Sequence, residues 1–161
     1  MKKLLIFLFL GIFPSVGRTL AQPTDSLQVV VDSLSVKVVK LERDLEYLKI
    51  NTDISTLNTE IEILSMKVNS SFTDIQIGIL YNDKKDTKDL LRVLRESCKH
   101  YKENVALIKD EVDSMQELVY SKKGTFSSNE YMCLSMHFMK VLFSYDLLEK
   151  RLSLLDEALD K

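Results

Sequence analysis

Apolar residues recur three and four positions apart over most of this sequence, and almost nothing interrupts them. Beyond residue 22 there is one proline, Pro23, and there are two glycines, Gly78 and Gly124. A 3,4 alternation keeps its apolar residues on one stripe of a slightly under-wound helix, so the pattern calls for long helices packed as coiled coils. The expected fold class is all-α: a long coiled-coil N-terminal helix, kinked or broken near residues 50–53, followed by an antiparallel two-helix hairpin. The whole makes a three- or four-helix bundle.

Two stripes share the first long segment. One runs Leu27, Val31, Leu34, Val38, Leu41, Leu45, Leu48, and the other Tyr47, Ile50, Ile54, Leu57, Ile61, Leu64, Val68. Their registers differ by two residues around Asn51, Thr52 and Asp53, three poor helix formers in a row. A kink with a rotated seam is the favoured reading, and a reversal of the chain, giving four helices of similar length, is the other. Past Val68 the pattern weakens, and Ile75, Ile77 and Ile79 alternate around Gly78. Asn82 to Lys85 reads as a connection, with Asp86 or Thr87 capping the next helix.

That helix carries Leu91, Leu94, Cys98, Tyr101, Val105, Ile108, Val112, Met115 and Val119. Lys122 and Lys123 suit the negative end of its dipole, and Gly124 suits a left-handed C′ position. Ser127-Ser128-Asn129-Glu130 is a capping box. The last helix repeats Leu134, Phe138, Val141, Tyr145, Leu148, Leu152, Leu155, Leu159. Two helices of similar length joined by a short turn lie antiparallel, each spanning about 50 Å.

The chain's start reads as an export signal: Lys2 and Lys3, an apolar run from Leu4 to Phe13, then Thr19-Leu20-Ala21 before the expected cleavage. A membrane anchor would need about 20 uninterrupted apolar residues, and Pro14, Gly17 and Arg18 interrupt this run. The expected organisation is therefore a signal peptide over 1–21, a coiled-coil segment over 22–82 and a hairpin over 83–161. The expected location is secreted or periplasmic. Cleavage removes three of 22 basic residues and none of 24 acidic ones, leaving 19 − 24 = −5. That balance argues against nucleic acid as a partner.

Charges beside the first stripe suggest a partner of another kind. With Val31, Val38 and Leu45 at a and the leucines at d, the composition favours a parallel dimer. In that arrangement Lys37 faces Glu42 of the second copy, and Asp44 faces Lys49. The competing reading packs this face on the hairpin of its own chain. A basic strip of Lys88, Arg92, Arg95, Lys99 and Lys102 lies along the next helix. It reads as a solvated face, or as a docking strip for an acidic protein partner or an anionic membrane surface. The first segment, with ten acidic and five basic residues over 22–83, offers it a counterpart within the chain.

Reactive chemistry has few candidates. Cys98 and Cys133 sit about 30 Å apart in the expected hairpin, too far for an intramolecular disulfide. A Cys98–Cys98 bridge between chains stays open. Cys133, Met136 and His137 supply soft ligands suited to copper or zinc, but one helix gives only part of a coordination shell, so neither metal nor cofactor is expected. From Tyr131 to Leu148 the last helix is apolar nearly all round. It is expected to be covered by neighbours, or else to expose a Met-rich patch for a partner helix or a lipid surface. No catalytic motif is present in the sequence after residue 21. The expected function is that of a non-enzymatic oligomerising stalk or adaptor, with membrane-surface binding and soft-metal binding as alternatives.

Overall fold

A computed structural model describes residues 23–81 and 84–160. The signal-like segment 1–21 and the connection residues Asn82 and Asp83 lie outside the described residues. Three helices follow one another: α1 (Pro23–Tyr81), α2 (Lys84–Ser121) and α3 (Ser128–Asp160). Among the described residues there is no strand. Packing divides the chain into two units, Met1–Leu41 and Glu42–Lys161.

In the second unit the three helices form a bundle with one continuous core. Ion pairs and hydrogen bonds fix its directions. Glu46 meets Lys122 at 2.6 Å and Ser71 meets Tyr101 at 3.4 Å, so α1 and α2 are antiparallel. Asn51 meets His137 at 2.8 Å and Ser65 meets Arg151 at 2.8 Å, so α1 and α3 run the same way. Arg95, Cys98 and Lys102 lie beside Leu159 and Asp156, which makes α2 and α3 the expected antiparallel hairpin.

The helix does not break at Asn51–Asp53. Residues that usually compete with helix geometry are satisfied inside it: Thr52 Oγ1 donates to the Leu48 carbonyl at 2.9 Å and Ser55 Oγ to the Asn51 carbonyl at 3.0 Å. The Asn51 side chain is used across the bundle by His137. With no reversal there, the bundle has three helices rather than four.

The phase shift has a different meaning. Two residues at 100° each turn the stripe by about 200°, so the two registers occupy opposite faces of one helix. Where they overlap, Ile50 is 3 % exposed while Leu45 and Leu48 are 68 % and 58 % exposed.

The inner register also runs further than its apolar residues suggest. After Val68 the buried positions are Ser71, Ile75 and Gly78, still spaced three and four. Ser71 and Gly78 are small rather than apolar. Ser71 Oγ donates to the Lys67 carbonyl and lies against the Tyr101 hydroxyl, while the Gly78 carbonyl accepts from Thr87 Oγ1 at 3.1 Å. Ile77 and Ile79, apparent partners of Ile75, face solvent. Thr87 therefore ties α2 to α1 instead of capping α2, which starts three residues earlier at Lys84.

The α2–α3 turn is closed differently from expectation. Gly124 does not adopt the left-handed conformation. The chain tightens instead through Lys122 N to Val119 O at 3.2 Å and Lys123 N to Tyr120 O at 3.3 Å, the short-range bonding common at helix ends. Lys122 pairs with Glu46 on α1 rather than serving only the dipole. Phe126 is buried edge-on against Tyr47, with ring centroids 5.6 Å apart. The capping box forms: Ser127 N donates to Glu130 Oε2 at 2.8 Å, and Glu130 N to Ser127 Oγ at 3.4 Å.

All eight positions of the final stripe are buried. Ile61→Ala or Leu148→Ala, each removing a side chain at 0 % exposure, is expected to lower stability by about 2–5 kcal/mol. Leu107→Ala, at an exposed site, should change it by less than about 0.5 kcal/mol. Urea denaturation followed by circular dichroism measures all three.

Candidate interaction surfaces

Four surfaces of the chain bear on function: the outer face of α1, the basic strip of α2, the outer face of α3 and a groove between α1 and α2.

The outer register of α1 is exposed along its length. Leu27, Val31, Leu34, Val38 and Leu41 in the first unit and Leu45 and Leu48 in the second are 52–68 % exposed. For Leu45 and Leu48, which share a unit with the hairpin, packing of this face on the hairpin of the same chain is thereby overturned. The physical reason is that the hairpin's apolar stripe is already filled by the inner register, from Ile50 to Val68. Among the flanking charges, Lys37, Glu42 and Lys49 are exposed. Asp44 is half-buried and lies 3.4 Å from Arg43, a neighbour that the expected Asp44–Lys49 pairing leaves out.

The basic strip of α2 is partly consumed within the bundle, by α3 rather than by the acidic first segment. Arg95 donates through Nε and Nη2 to the Leu159 carbonyl, at 3.1 and 2.7 Å. It thus satisfies a carbonyl that the end of α3 leaves without a helical donor. Lys102 Nζ pairs with Asp156 at 2.6 Å and Arg92 with Asp89 at 3.7 Å. Lys88 and Lys99 are exposed. The strip's main structural role is therefore to fasten the open end of the hairpin.

Neither cysteine is in a disulfide. Cys98 is buried at 2 % exposure, and its thiol donates towards Asp156 Oδ1 at 3.7 Å. Burial first, then the Asp156 charge, pushes this thiol above its usual range. A Cys98–Cys98 bridge between chains would require the helices to part. Cys133 is exposed. His137, its expected co-ligand, uses Nδ1 on Asn51, and Met136 lies on the solvent side. Among the described residues no three His, Cys, Asp or Glu side chains converge as a metal site.

The outer face of α3 is not covered by neighbours. Met132, Met136, Met139 and Phe143 are 54–69 % exposed, and Leu147 and Leu154 extend the stripe. One apolar side is enough to bury α3 in a three-helix bundle, so the second side is left in water. No described helix is long and apolar enough to cross a membrane.

Sequence reasoning missed the groove. Three adjoining cavities of about 510, 480 and 270 Å³ run along α1 and α2 from Glu42 to Lys67. The central cavity has Leu57, Met115 and Leu118 in its floor, and Asp53, Glu60, Asp110 and Glu111 as its rim. Asp110 and Glu111 are neighbours in the sequence, but their alignment with Asp53 and Glu60 of α1 depends on the antiparallel register. No family model matches the chain, and no curated protein or solved structure is significantly similar to it.

Thiol accessibility and the pH dependence of stability test these environments. A thiol reagent at neutral pH is expected to modify Cys133 within minutes and Cys98 only on unfolding, as mass spectrometry of the labelled peptides would show; equal labelling contradicts the buried placement. Tyr145 donates its hydroxyl to Glu149 Oε1 at 2.7 Å, and burial followed by this bond pushes the phenol well above its usual range. Its protonated form is favoured in the fold, so its contribution is complete below about pH 10 and is lost as pH rises beyond that. Tyr145→Phe should flatten the fall in stability between about pH 10 and 12, measured by denaturant titration at each pH.

Proposed function

We propose that this chain is an exported, non-catalytic coiled-coil protein that acts as an oligomerising stalk or adaptor. Self-association takes place through residues 27–49, as a parallel homodimer. The observation that carries this reading is the contrast between the two registers of α1. The inner register is 0–4 % exposed from Ile50 to Val68, and the outer one is 52–68 % exposed from Leu27 to Leu48.

An apolar stripe of seven residues left in water is costly, at roughly 25 cal/mol for each Å² of apolar surface that a partner would cover. β-branched residues at a and leucine at d suit a second, parallel copy. The pairs Lys37–Glu42 and Asp44–Lys49 match in sign across such a dimer. Each contributes only a few tenths of a kcal/mol, so they set orientation more than affinity. The mechanism is passive geometry: the stalk fixes two bundles in register, and their remaining faces recruit a protein partner.

The test is an in-register cross-link in the full chain. With Cys133→Ser in place, Leu41→Cys is expected to form a disulfide with its counterpart under mild oxidation, because facing d positions bring α-carbons within disulfide reach. Leu34→Asp together with Leu41→Asp should abolish this pairing, measured by sedimentation. Absence of the residue-41 cross-link, with the fold retained by circular dichroism, would rule out the parallel stalk.

A further inference from the structure

The outer face of α3 and the groove between α1 and α2 belong to the same folded unit, and each lacks what the other has. On α3, Met132, Met136, Met139, Phe143, Leu147 and Leu154 form a stripe on the side opposite the helix's buried residues. From Met132 to Leu154 it is about 33 Å long at 1.5 Å per residue. The groove follows α1 from Glu42 to Lys67, about 37 Å on the same measure. Its adjoining cavities share Asp53 and Leu118 at one junction and Glu60 and Glu111 at the other, so the trough is continuous.

We propose that a second copy of this chain lays its α3 into the groove between α1 and α2, placing the methionine stripe on Leu57, Met115 and Leu118. Charge agrees with this occupant. The central rim carries four carboxylates. The incoming face carries Lys140, and its one acid near the centre, Asp146, is held by Lys150 at 2.6 Å. Methionine is the apolar side chain best able to fill an irregular trough, having three flexible bonds and a polarizable sulfur. A helix seated between two others also completes a local four-helix packing, the arrangement in which antiparallel and parallel neighbours both bury a stripe.

Two features set this contact apart from the stalk. It overlaps the stalk only where the first cavity reaches residues 42–49, the central cavity lying wholly beyond it, and it is heterologous, joining a face of one copy to a groove of the next. No residue of α3 lines the central cavities, and the stripe points away from the bundle core. Stripe and groove therefore sit on opposite sides of the bundle. A heterologous contact between opposite sides does not close after two copies and adds copies in a row.

The experiment is sedimentation over a range of concentrations. It uses the full chain carrying Leu34→Asp and Leu41→Asp, so the parallel stalk makes no contribution. The expected result is a mass that rises with concentration without a plateau. Adding Phe143→Glu, which disables the stripe, or Asp53→Lys with Glu111→Lys, which disables the groove, should hold the chain at monomer mass up to concentrations at least about tenfold higher, since each would bury unpaired charge. Met136→Glu and Glu60→Lys give second variants of each kind, and circular dichroism checks that each folds.

Mixing a stripe variant with a groove variant is the decisive step. One intact stripe then meets one intact groove, and a complex of two chains is expected and nothing larger. A chain that stays monomeric throughout overturns the proposal, as does a Phe143→Glu chain that still assembles or a mixture that fails to combine. A groove variant that self-associates as before points to symmetric α3–α3 pairing and also overturns it. So does a monomeric protein that floats with anionic phospholipid vesicles unless Phe143 is replaced.

Discussion

Ile54, Ile61 and Val68 are withdrawn completely from water, and the arrangement of the bundle depends on the side of α1 that carries them. They close the apolar stripe of the α2–α3 hairpin, which would otherwise be open along its length. Once that stripe is filled, no place remains in the bundle for the other apolar faces of the chain. The outer register of α1 and the methionine stripe of α3 are exposed because the core is complete without them. Burial on one side thus determines what is available for association on the others.

Polar groups give this packing its register. A stripe of leucine, isoleucine and valine slides without much penalty, whereas a hydrogen bond or ion pair is lost by a shift of one residue. Asn51–His137 and Ser65–Arg151 hold α1 beside α3 with nearly the same offset along both helices. Glu46–Lys122 and Tyr47–Phe126 dock the turn. Arg95 and Lys102 fasten the opposite end by binding the Leu159 carbonyl and Asp156. These contacts are half-exposed and individually modest in strength. Their importance lies in position.

The same logic explains why several local readings of the sequence were incomplete. Ser71 and Gly78 occupy core positions because Tyr101 and Thr87 approach there, and a rule that counts only apolar residues loses the stripe at Val68. Asn51, Thr52 and Asp53 look like a break when judged by propensity alone. Within the helix, however, Thr52 and Ser55 bond to carbonyls four residues back, and Asn51 is taken up by α3. Asp110 and Glu111 stand side by side in the sequence with nothing to show what they face, and only the antiparallel register brings them opposite Asp53 and Glu60 to make a groove.

By itself the sequence determined the helical class, the hairpin, its capping box and, residue for residue, the buried stripe of α3. Each of these depends on spacing within one segment, and spacing of three and four is a local property of the chain. What only the tertiary structure decided was which of two equally regular stripes on α1 enters the core, and which partners the charges find. A heptad pattern states that a face must be covered without stating by what. The choice follows from the relative positions of three helices, and hence from contacts between residues as far apart in sequence as Asn51 and His137.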